Sequence, residues 1–156
     1  VSDRPDRVRS LTLLAAGGLV EPEPEVWRAL LGCFVLDAPE ADRLADIALA
    51  FFADPAGAVR WLDGWYPEVA TLQAAAVRRT DRDHWWGARA PHVLVVQGLQ
   101  DRVAVPENGR RYVADLRAHA VDARLVEIDG AGHALLPEQP DAIADALLAF
   151  LASQPD

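Results

Sequence analysis

An aspartate and a histidine in this chain have the residue types and the local sequence that proton transfer requires. Asp101 stands in the segment VVQGLQDRV, and His133 stands in the glycine-rich segment EIDGAGHAL. Gly130 and Gly132 permit the tight backbone that presents a histidine ring. A carboxylate beside an imidazole fixes the tautomer of the ring and stabilises its charged form, so the ring can accept the proton of a hydroxyl nucleophile. In that chemistry Asp101 would orient the ring, and His133 would move the proton.

Each residue of this pair also has a simpler interpretation. An aspartate before a helix is commonly a turn or helix-cap residue, and an isolated histidine is more often structural than catalytic. Two other carboxylates compete with Asp101 by proximity, but Asp129 suits strand-end capping and Glu138 suits the N-terminal charge of a helix. The place of Asp101 after a predicted strand, and the histidine that follows later, favour the catalytic interpretation of Asp101 and His133.

Three apolar segments predict the strands that would position this pair. They are a leucine-rich run at Val8–Ala16, a β-branched run at Val93–Val96 and a third run at Arg124–Ile128. Continuous apolar runs of this length are typical of strands buried on both faces of a parallel sheet. The carboxyl ends of parallel strands meet at one edge of a sheet, so Asp101 and His133 are expected in one crevice.

Helical spacing fills the long segment between the first and second strands. From Glu23 to about Thr80, prolines stand where helices begin, and Ala, Leu, Glu and Arg fill the interiors. The clearest buried face is formed by Leu44, Ile47, Ala48 and Phe51. Two later helices are predicted, one from Pro106 through Leu116 and one over Pro137–Leu151. The ending is thus β-α-β-α, which predicts an α/β fold with a parallel sheet.

The acid and histidine turns, together with Pro5–Leu14, resemble the C-terminal half of the α/β-hydrolase superfamily. The order of the two residues agrees, since this superfamily runs nucleophile, acid, histidine along the chain. The resemblance implies an α/β fold with three strands of the family's parallel sheet and an inserted helical cap. It divides the chain into a core strand segment at 1–18, a helical cap at 19–86 and a C-terminal core at 87–156 that holds both turns.

The nucleophile that this family uses has no counterpart in the sequence. The serines are Ser2, Ser10 and Ser153, and none lies in a Gly-x-Ser-x-Gly elbow. Cys33 falls on a predicted helix without the matching glycine and is interpreted as a core residue. The family's oxyanion hole also lies in a part that these residues do not include. We therefore expect a hydrolase fragment that is inactive alone, and Val1 as first residue suggests a start inside a longer protein.

The resemblance implies a serine-type hydrolase that acts on an ester, lactone or related carbonyl substrate, with Asp101 and His133 as its catalytic residues. Caps of this family line the acyl or leaving-group pocket, so the tryptophans predicted to touch a small-molecule substrate are Trp61, Trp65 and Trp86. Two alternatives stay open: a non-catalytic or split-gene subunit that pairs with an N-terminal hydrolase half, and a cofactor-free haloperoxidase-like perhydrolase. Dehalogenase or epoxide hydrolase chemistry would require an upstream aspartate nucleophile.

Composition and charge narrow the classes of partner. The 156 residues are 51% hydrophobic and 25% charged, a balance typical of folded globular proteins. Scattered arginines and a net charge of −9 exclude nucleic acid as a leading partner. A single cysteine and histidines without ligand spacing predict no metal, and the implied chemistry needs no cofactor.

The sequence also predicts the cellular location of the chain and the kind of partner at the exposed edge of its sheet. No apolar run approaches the roughly 20 residues that span a bilayer, so a cytoplasmic location and no membrane partner are expected. The first strand would leave an apolar edge exposed, which favours either pairing with an N-terminal hydrolase half or self-association.

Overall fold

The sheet is the element that carries the predicted pair. The structure is a computed structural model, and it describes residues 3–81 and 90–154. Its strands are β1 (Ser10–Leu14), β2 (His92–Gly98) and β3 (Asp122–Ile128). They form one parallel sheet in the order β1-β2-β3, and β2 ends beside β3 with Gly98 opposite Ile128. The predicted α/β fold with three parallel strands is confirmed.

Within the described ranges, six α-helices and two 3₁₀ helices surround the sheet. The α-helices are α1 (Pro24–Gly32), α2 (Glu40–Phe51), α3 (Pro67–Arg79), α4 (Glu107–Ala118), α5 (Leu135–Glu138) and α6 (Pro140–Ala152). The 3₁₀ helices are Pro5–Arg7 and Pro55–Trp61. Proline begins α1, α3 and α6, where its missing N–H removes no helical hydrogen bond. Each helix of residues 3–81 and 90–154 is too short or too polar to cross a membrane.

Two apolar layers enclose the central strand. Alternate residues of a strand point to opposite faces, so β2 contributes to both layers. The layer toward α4 contains Val93, Val95, Tyr112, Val113 and Leu116. The layer toward α6 contains Leu94, Val96, Ile143 and Phe150. β2 is therefore buried on both faces, as its unbroken β-branched sequence predicts.

Strand β1 is shorter and more exposed than the sequence predicts. The apolar run covers Val8–Ala16, but the strand ends at Leu14, and Ala15 adopts a left-handed φ of 48°. All five residues of β1 are only half-buried. In the part of the chain that the structure describes, β1 pairs with β2 on one side and with no strand on the other. Because one edge lacks a neighbour, β1 presents apolar side chains that are incompletely covered.

The helix predicted near the C-terminus is divided in the structure. The run Pro137–Leu151 is expected as one helix, but the structure divides it into α5 and α6 at Gln139. Pro140 explains the break, since proline has no N–H and a helix cannot continue through it without loss. The segment that carries Trp61 is a 3₁₀ helix, as short segments often are.

The helices between β1 and β2 form a separate core. Its buried residues include Ala29, Cys33, Ile47, Ala50, Phe51, Phe52 and Ala58. Ala134, from the loop that carries His133, belongs to the same cluster. Helix α3 adds no buried residue, and its Val69, Leu72 and Val77 are exposed. The helical segment is thus joined to the histidine loop mainly through α2.

Cys33 is a core residue, as predicted. Its side chain is fully buried, and its thiol donates a hydrogen bond to the carbonyl of Ala29 at 3.2 Å. Burial, and secondarily the negative charge of Asp46, raises the pKa of the Cys33 thiol to about 12. Because the thiolate is the nucleophilic form of cysteine, this thiol is unreactive as a nucleophile near neutral pH.

The raised pKa of Cys33 makes stability depend on pH in the alkaline range. The thiol has a pKa near 9.0 when the chain is unfolded but near 12 when it is folded, so its stabilising contribution is complete below pH 9. We expect the free energy of unfolding to fall as the pH rises from about 9 to about 12. Denaturant titration across this range checks the slope. Cys33→Ala should show a shallower fall, and an unchanged slope in that variant would contradict the assignment.

Candidate active site

Asp101 lies in the turn after β2, and the fold holds its carboxylate in a fixed orientation. Its side chain is fully buried. Oδ1 accepts hydrogen bonds from the backbone N–H groups of Val103 at 2.9 Å and Ala104 at 2.8 Å. This is the ordinary turn-stabilising role of aspartate. It occupies only one carboxylate oxygen, so the turn role and the acid role are compatible.

The second oxygen of Asp101 receives the histidine. His133 Nδ1 lies 3.1 Å from Asp101 Oδ2, and the amide Nε2 of Gln97 donates to the same oxygen at 3.0 Å. Gln97 is fully buried and also donates to the carbonyl of Ala104 at 2.7 Å. The structure therefore brings together Asp101 and His133, the pair that the sequence singled out. It adds Gln97, whose signal in the sequence is a lone polar residue at the end of an apolar strand.

His133 sits in the loop after β3 with one ring nitrogen engaged and the other available. Nδ1–H donates to Asp101, and Nε2 has no hydrogen-bond partner among residues 3–81 and 90–154. The side chain is 26% exposed, so solvent or a ligand can reach it. The ring of Phe51 packs against the imidazole at a centroid distance of 5.6 Å. With Nδ1 protonated, Nε2 is the basic nitrogen, which suits it to accept a proton from a neighbouring hydroxyl.

Backbone contacts join the acid turn to the histidine loop. The N–H of Leu99 donates to the carbonyl of Ile128 at 2.9 Å, and the N–H of Gln100 donates to that of Ala131 at 3.0 Å. The Gln100 side chain accepts from the N–H of Ala131 and donates to Asp129 at 2.8 Å. Asp129 is therefore a partner of Gln100, and it is Asp101 that contacts the imidazole.

Gly98 makes this close approach possible. A Cβ at position 98 would lie 2.3 Å from the carbonyl oxygen of Ala131 and 2.6 Å from that of Gly132. Neither oxygen can withdraw without moving the backbone of the histidine loop. Position 98 must therefore be glycine, because the backbone of the histidine loop leaves no space for a side chain there.

Gly98→Ala is expected to destabilise the protein by about 3 kcal/mol, because the new methyl overlaps backbone atoms that cannot repack. Thermal and denaturant unfolding followed by circular dichroism measures the change. Gly64→Ala is the matched control: no atom lies within 4 Å of its Cβ, and only its φ of 93° opposes a side chain, at about 1 kcal/mol. Equal losses in the two variants would contradict the predicted clash.

Of the tryptophans predicted to contact substrate, Trp61 and Trp65 are separated from His133 by the ring of Phe51. Trp61 and Trp65 each pack against Phe51 at a centroid distance of 5.4 Å, and Phe51 contacts His133. Trp86 lies outside the described residues. Phe51 is the described aromatic residue whose ring packs against the imidazole, and its signal in the sequence is limited to the apolar face of α2.

Glu138 has more contacts than its interpretation as charge at a helix N-terminus predicts. It is the last residue of α5, and its carboxylate accepts hydrogen bonds from backbone N–H groups of the histidine loop and of the segment after α2. Metal-ligating groups are not gathered here: among the described residues, no three His, Cys, Asp or Glu side chains could hold an ion together. The chemistry available to this arrangement is proton transfer through His133.

Comparison with known proteins places this geometry in a family. The model of the alpha/beta hydrolase family matches residues 3–146. No curated protein sequence matches the chain significantly. A similar solved structure is 2-hydroxy-6-oxo-6-phenylhexa-2,4-dienoate hydrolase from Rhodococcus sp. strain RHA1, with 23% identity, a TM-score of 0.67, and coverage of 98% of this chain and 58% of that one.

Two further structures share the fold. A protein described as a non-haem bromoperoxidase from Mycobacterium tuberculosis has 22% identity and a TM-score of 0.68, covering 99% of this chain and 62% of that one. An esterase from Thermogutta terrifontis has 18% identity and a TM-score of 0.67, covering 95% and 57%. This chain thus spans less than two thirds of the length of each. With the family match over nearly its whole length, the chain belongs to the α/β-hydrolase family.

Proposed function

We propose that this chain provides the acid and the base of a serine-type hydrolase acting on an ester, lactone or related carbonyl substrate. The observation that carries the proposal is the hydrogen bond between Asp101 and His133, two residues that follow neighbouring parallel strands. In open parallel sheets, catalytic groups collect at this edge. The nucleophile would come from the remainder of the fold, in the same polypeptide or in another.

The geometry of the pair supports general acid–base catalysis. A serine hydroxyl attacks the carbonyl carbon while its proton passes to His133 Nε2, and Asp101 stabilises the imidazolium that forms. The tetrahedral intermediate collapses, the bond to the leaving oxygen breaks, and Nε2 protonates that oxygen. Water then attacks the acyl-enzyme with Nε2 as base, and the proton returns to the serine as the acyl–oxygen bond breaks.

The aromatic cluster around Phe51 supports an apolar substrate group. Phe51, Trp61 and Trp65 form a continuous set of rings that begins at His133. Apolar and aromatic walls with few polar groups are typical of small-molecule sites. We propose that the helical segment acts as a cap and that these rings contact the acyl or leaving group, together with Trp86.

The open edge of β1 supports a partner for the sheet. β1 is apolar and half-buried, and in the described residues only one of its edges is paired. An unpaired strand edge is a template for another strand. We propose that this edge pairs with the strand of the nucleophile-bearing half, and self-association is the competing outcome.

Hydrolysis of p-nitrophenyl butyrate and labelling by a fluorophosphonate test the proposal. Each is measured for the 156-residue chain alone and for the chain co-expressed with the polypeptide encoded immediately upstream. Activity and serine labelling are expected only in the combined form, which should elute as a 1:1 complex or a single longer chain. Stable association without labelling would instead favour a non-catalytic subunit, and hydrolysis by the isolated chain would contradict the need for a separate nucleophile.

A perhydrolase is the second candidate, because one structure with this fold is described as a non-haem bromoperoxidase. The same pair would serve it: hydrogen peroxide in place of water attacks the acyl-enzyme, and the peracid released oxidises bromide. Bromination in the presence of acetate, bromide and hydrogen peroxide distinguishes this activity from hydrolysis.

A further inference from the structure

The loop that carries His133 is fastened to the C-terminal end of α2. The N–H of Ala134 donates to the carbonyl of Phe51 at 2.8 Å, directly after the histidine. On the other side of His133, a Cβ at Gly132 would lie 2.6 Å from that same carbonyl oxygen and 2.8 Å from the nitrogen of Ala53. The two backbones are therefore packed against each other with no room for a side chain at position 132.

The carboxylate of Glu138 forms hydrogen bonds to both of these backbone segments. Glu138 Oε2 accepts from the N–H of Gly132 at 2.7 Å, while Oε1 accepts from the N–H of Ala53 at 2.7 Å and of Asp54 at 3.0 Å. Two of these donors are more than 80 residues away in sequence. Hydrogen bonds to an ionised acceptor are stronger than neutral ones, so the Glu138 carboxylate with its three backbone donors holds the histidine loop firmly against the segment after α2.

The bonds of Glu138 exclude it as the acid of the pair. Each hydrogen bond that Glu138 forms within the described residues is accepted from a backbone N–H group, and the imidazole of His133 is bonded to Asp101 instead. Its effect on His133 must pass through the peptide bond of Gly132, the residue directly before the histidine.

We propose that Glu138 is a positioning residue: by joining the loop of His133 to the end of α2, it fixes the imidazole relative to Asp101 and to the helical segment. The catalytic consequence rests on the proposed function, but the positioning does not. Displacement of a catalytic group by about 1 Å can cost on the order of 100-fold in rate. Loss of the hydrogen bonds that hold the residue beside the base is therefore expected to lower the rate measurably.

Nuclear magnetic resonance of the 156-residue chain tests the positioning without any activity. In the unmodified chain we expect a single His133 tautomer protonated at Nδ1 and slow hydrogen exchange at the amides of Gly132 and Ala53. Glu138→Ala should average the two ring ¹⁵N shifts and speed exchange at those amides by roughly 10-fold or more, since each loses its acceptor. Amides of β2 report global stability and should change less.

Two further variants keep the test decisive. Glu138→Gln retains one carbonyl oxygen but turns an NH₂ group toward the other donors, so an intermediate effect is expected, and it serves if Glu138→Ala does not fold. Glu107→Ala is the matched control, because the described ion pair of Glu107 is with Arg111, one turn later on the exposed side of α4. Unchanged His133 shifts and unchanged Gly132 exchange in both Glu138 variants would overturn the proposal.

Kinetics of the combined form complete the test. Glu138→Ala is expected to lower kcat by 10- to 100-fold with KM little changed, as loss of base alignment would do, whereas Glu107→Ala should alter neither. If no form hydrolyses an ester but the His133 shifts respond to Glu138, the proposed function fails and the positioning stands. If hydrolysis depends on His133 but neither kcat nor the shifts respond to Glu138, the reverse holds.

Discussion

Replacing His133 with alanine is expected to lower kcat by about 10⁴-fold or more in the form that carries the nucleophile. The imidazole is the one group in the described site that is placed to take a proton: Nδ1 is held by Asp101, and Nε2 is available on a partly exposed ring. Without it the serine hydroxyl has no base and the leaving group has no acid. Steady-state kinetics with p-nitrophenyl butyrate, in the combined form proposed above, gives kcat and KM separately.

His119→Ala is the matched control for this substitution. His119 lies at the C-terminal end of α4, half-exposed, and the described contacts of its side chain are to Asp115 one turn earlier. It should leave kcat and KM unchanged. A loss of less than about 10-fold in His133→Ala, with the protein still folded, would mean that another group is the base and that the pair is structural.

The placement of the pair was predictable because it depends on strand order. Two apolar runs, each followed by a polar turn, suffice to predict two parallel strands whose ends are neighbours. The sequence therefore brings Asp101 and His133 to one edge without any knowledge of distances. The structure supplies the 3.1 Å contact and the register that sets Gly98 opposite Ile128.

The supporting residues were not predictable in the same way. Gln97 and Glu138 act through hydrogen bonds whose other ends lie in turns and loops, and such pairings leave no periodic pattern in the sequence. Phe51 was visible as part of an apolar helix face, but whether that face meets the sheet, the neighbouring helices or His133 depends on packing. Glu138 was interpreted as N-terminal charge of the predicted helix Pro137–Leu151, whereas two of the three N–H groups that donate to its carboxylate lie in the segment after α2.

Burial was the least predictable property at the margins of the fold. β1 has the composition of a doubly buried strand, yet it is half-buried because only β2 pairs with it among the described residues. Helix α3 has apolar residues at helical spacing, yet Val69, Leu72 and Val77 are exposed. The composition of a segment indicates how much of it would be buried if both of its faces were covered. The structure shows how much of it is buried by the residues described.

Asp101→Asn is expected to lower kcat by about 10⁴-fold and also to destabilise the fold, for two separable reasons. The catalytic loss arises because an amide cannot stabilise the imidazolium and favours the wrong tautomer. The loss of stability arises because both oxygens of Asp101 already accept two hydrogen bonds each, from Val103, Ala104, Gln97 and His133. Turned one way, the asparagine NH₂ faces the two backbone donors; turned the other way, it still faces the Gln97 amide even when His133 changes tautomer, which costs about 1–3 kcal/mol in a buried site.

The two effects are measured separately by determining kcat at a temperature well below the melting transition and the unfolding free energy by denaturant titration. Asp129→Asn is the matched control, since Asp129 lies in the adjacent loop and accepts its described hydrogen bond from the exposed side chain of Gln100. It should change kcat by less than about threefold, as expected for a surface substitution. A destabilised Asp101→Asn that retains kcat within about 10-fold would show that the carboxylate only builds the turn. A stable variant with a 10⁴-fold loss would show instead that the buried donors can rearrange and that the negative charge itself is what His133 requires.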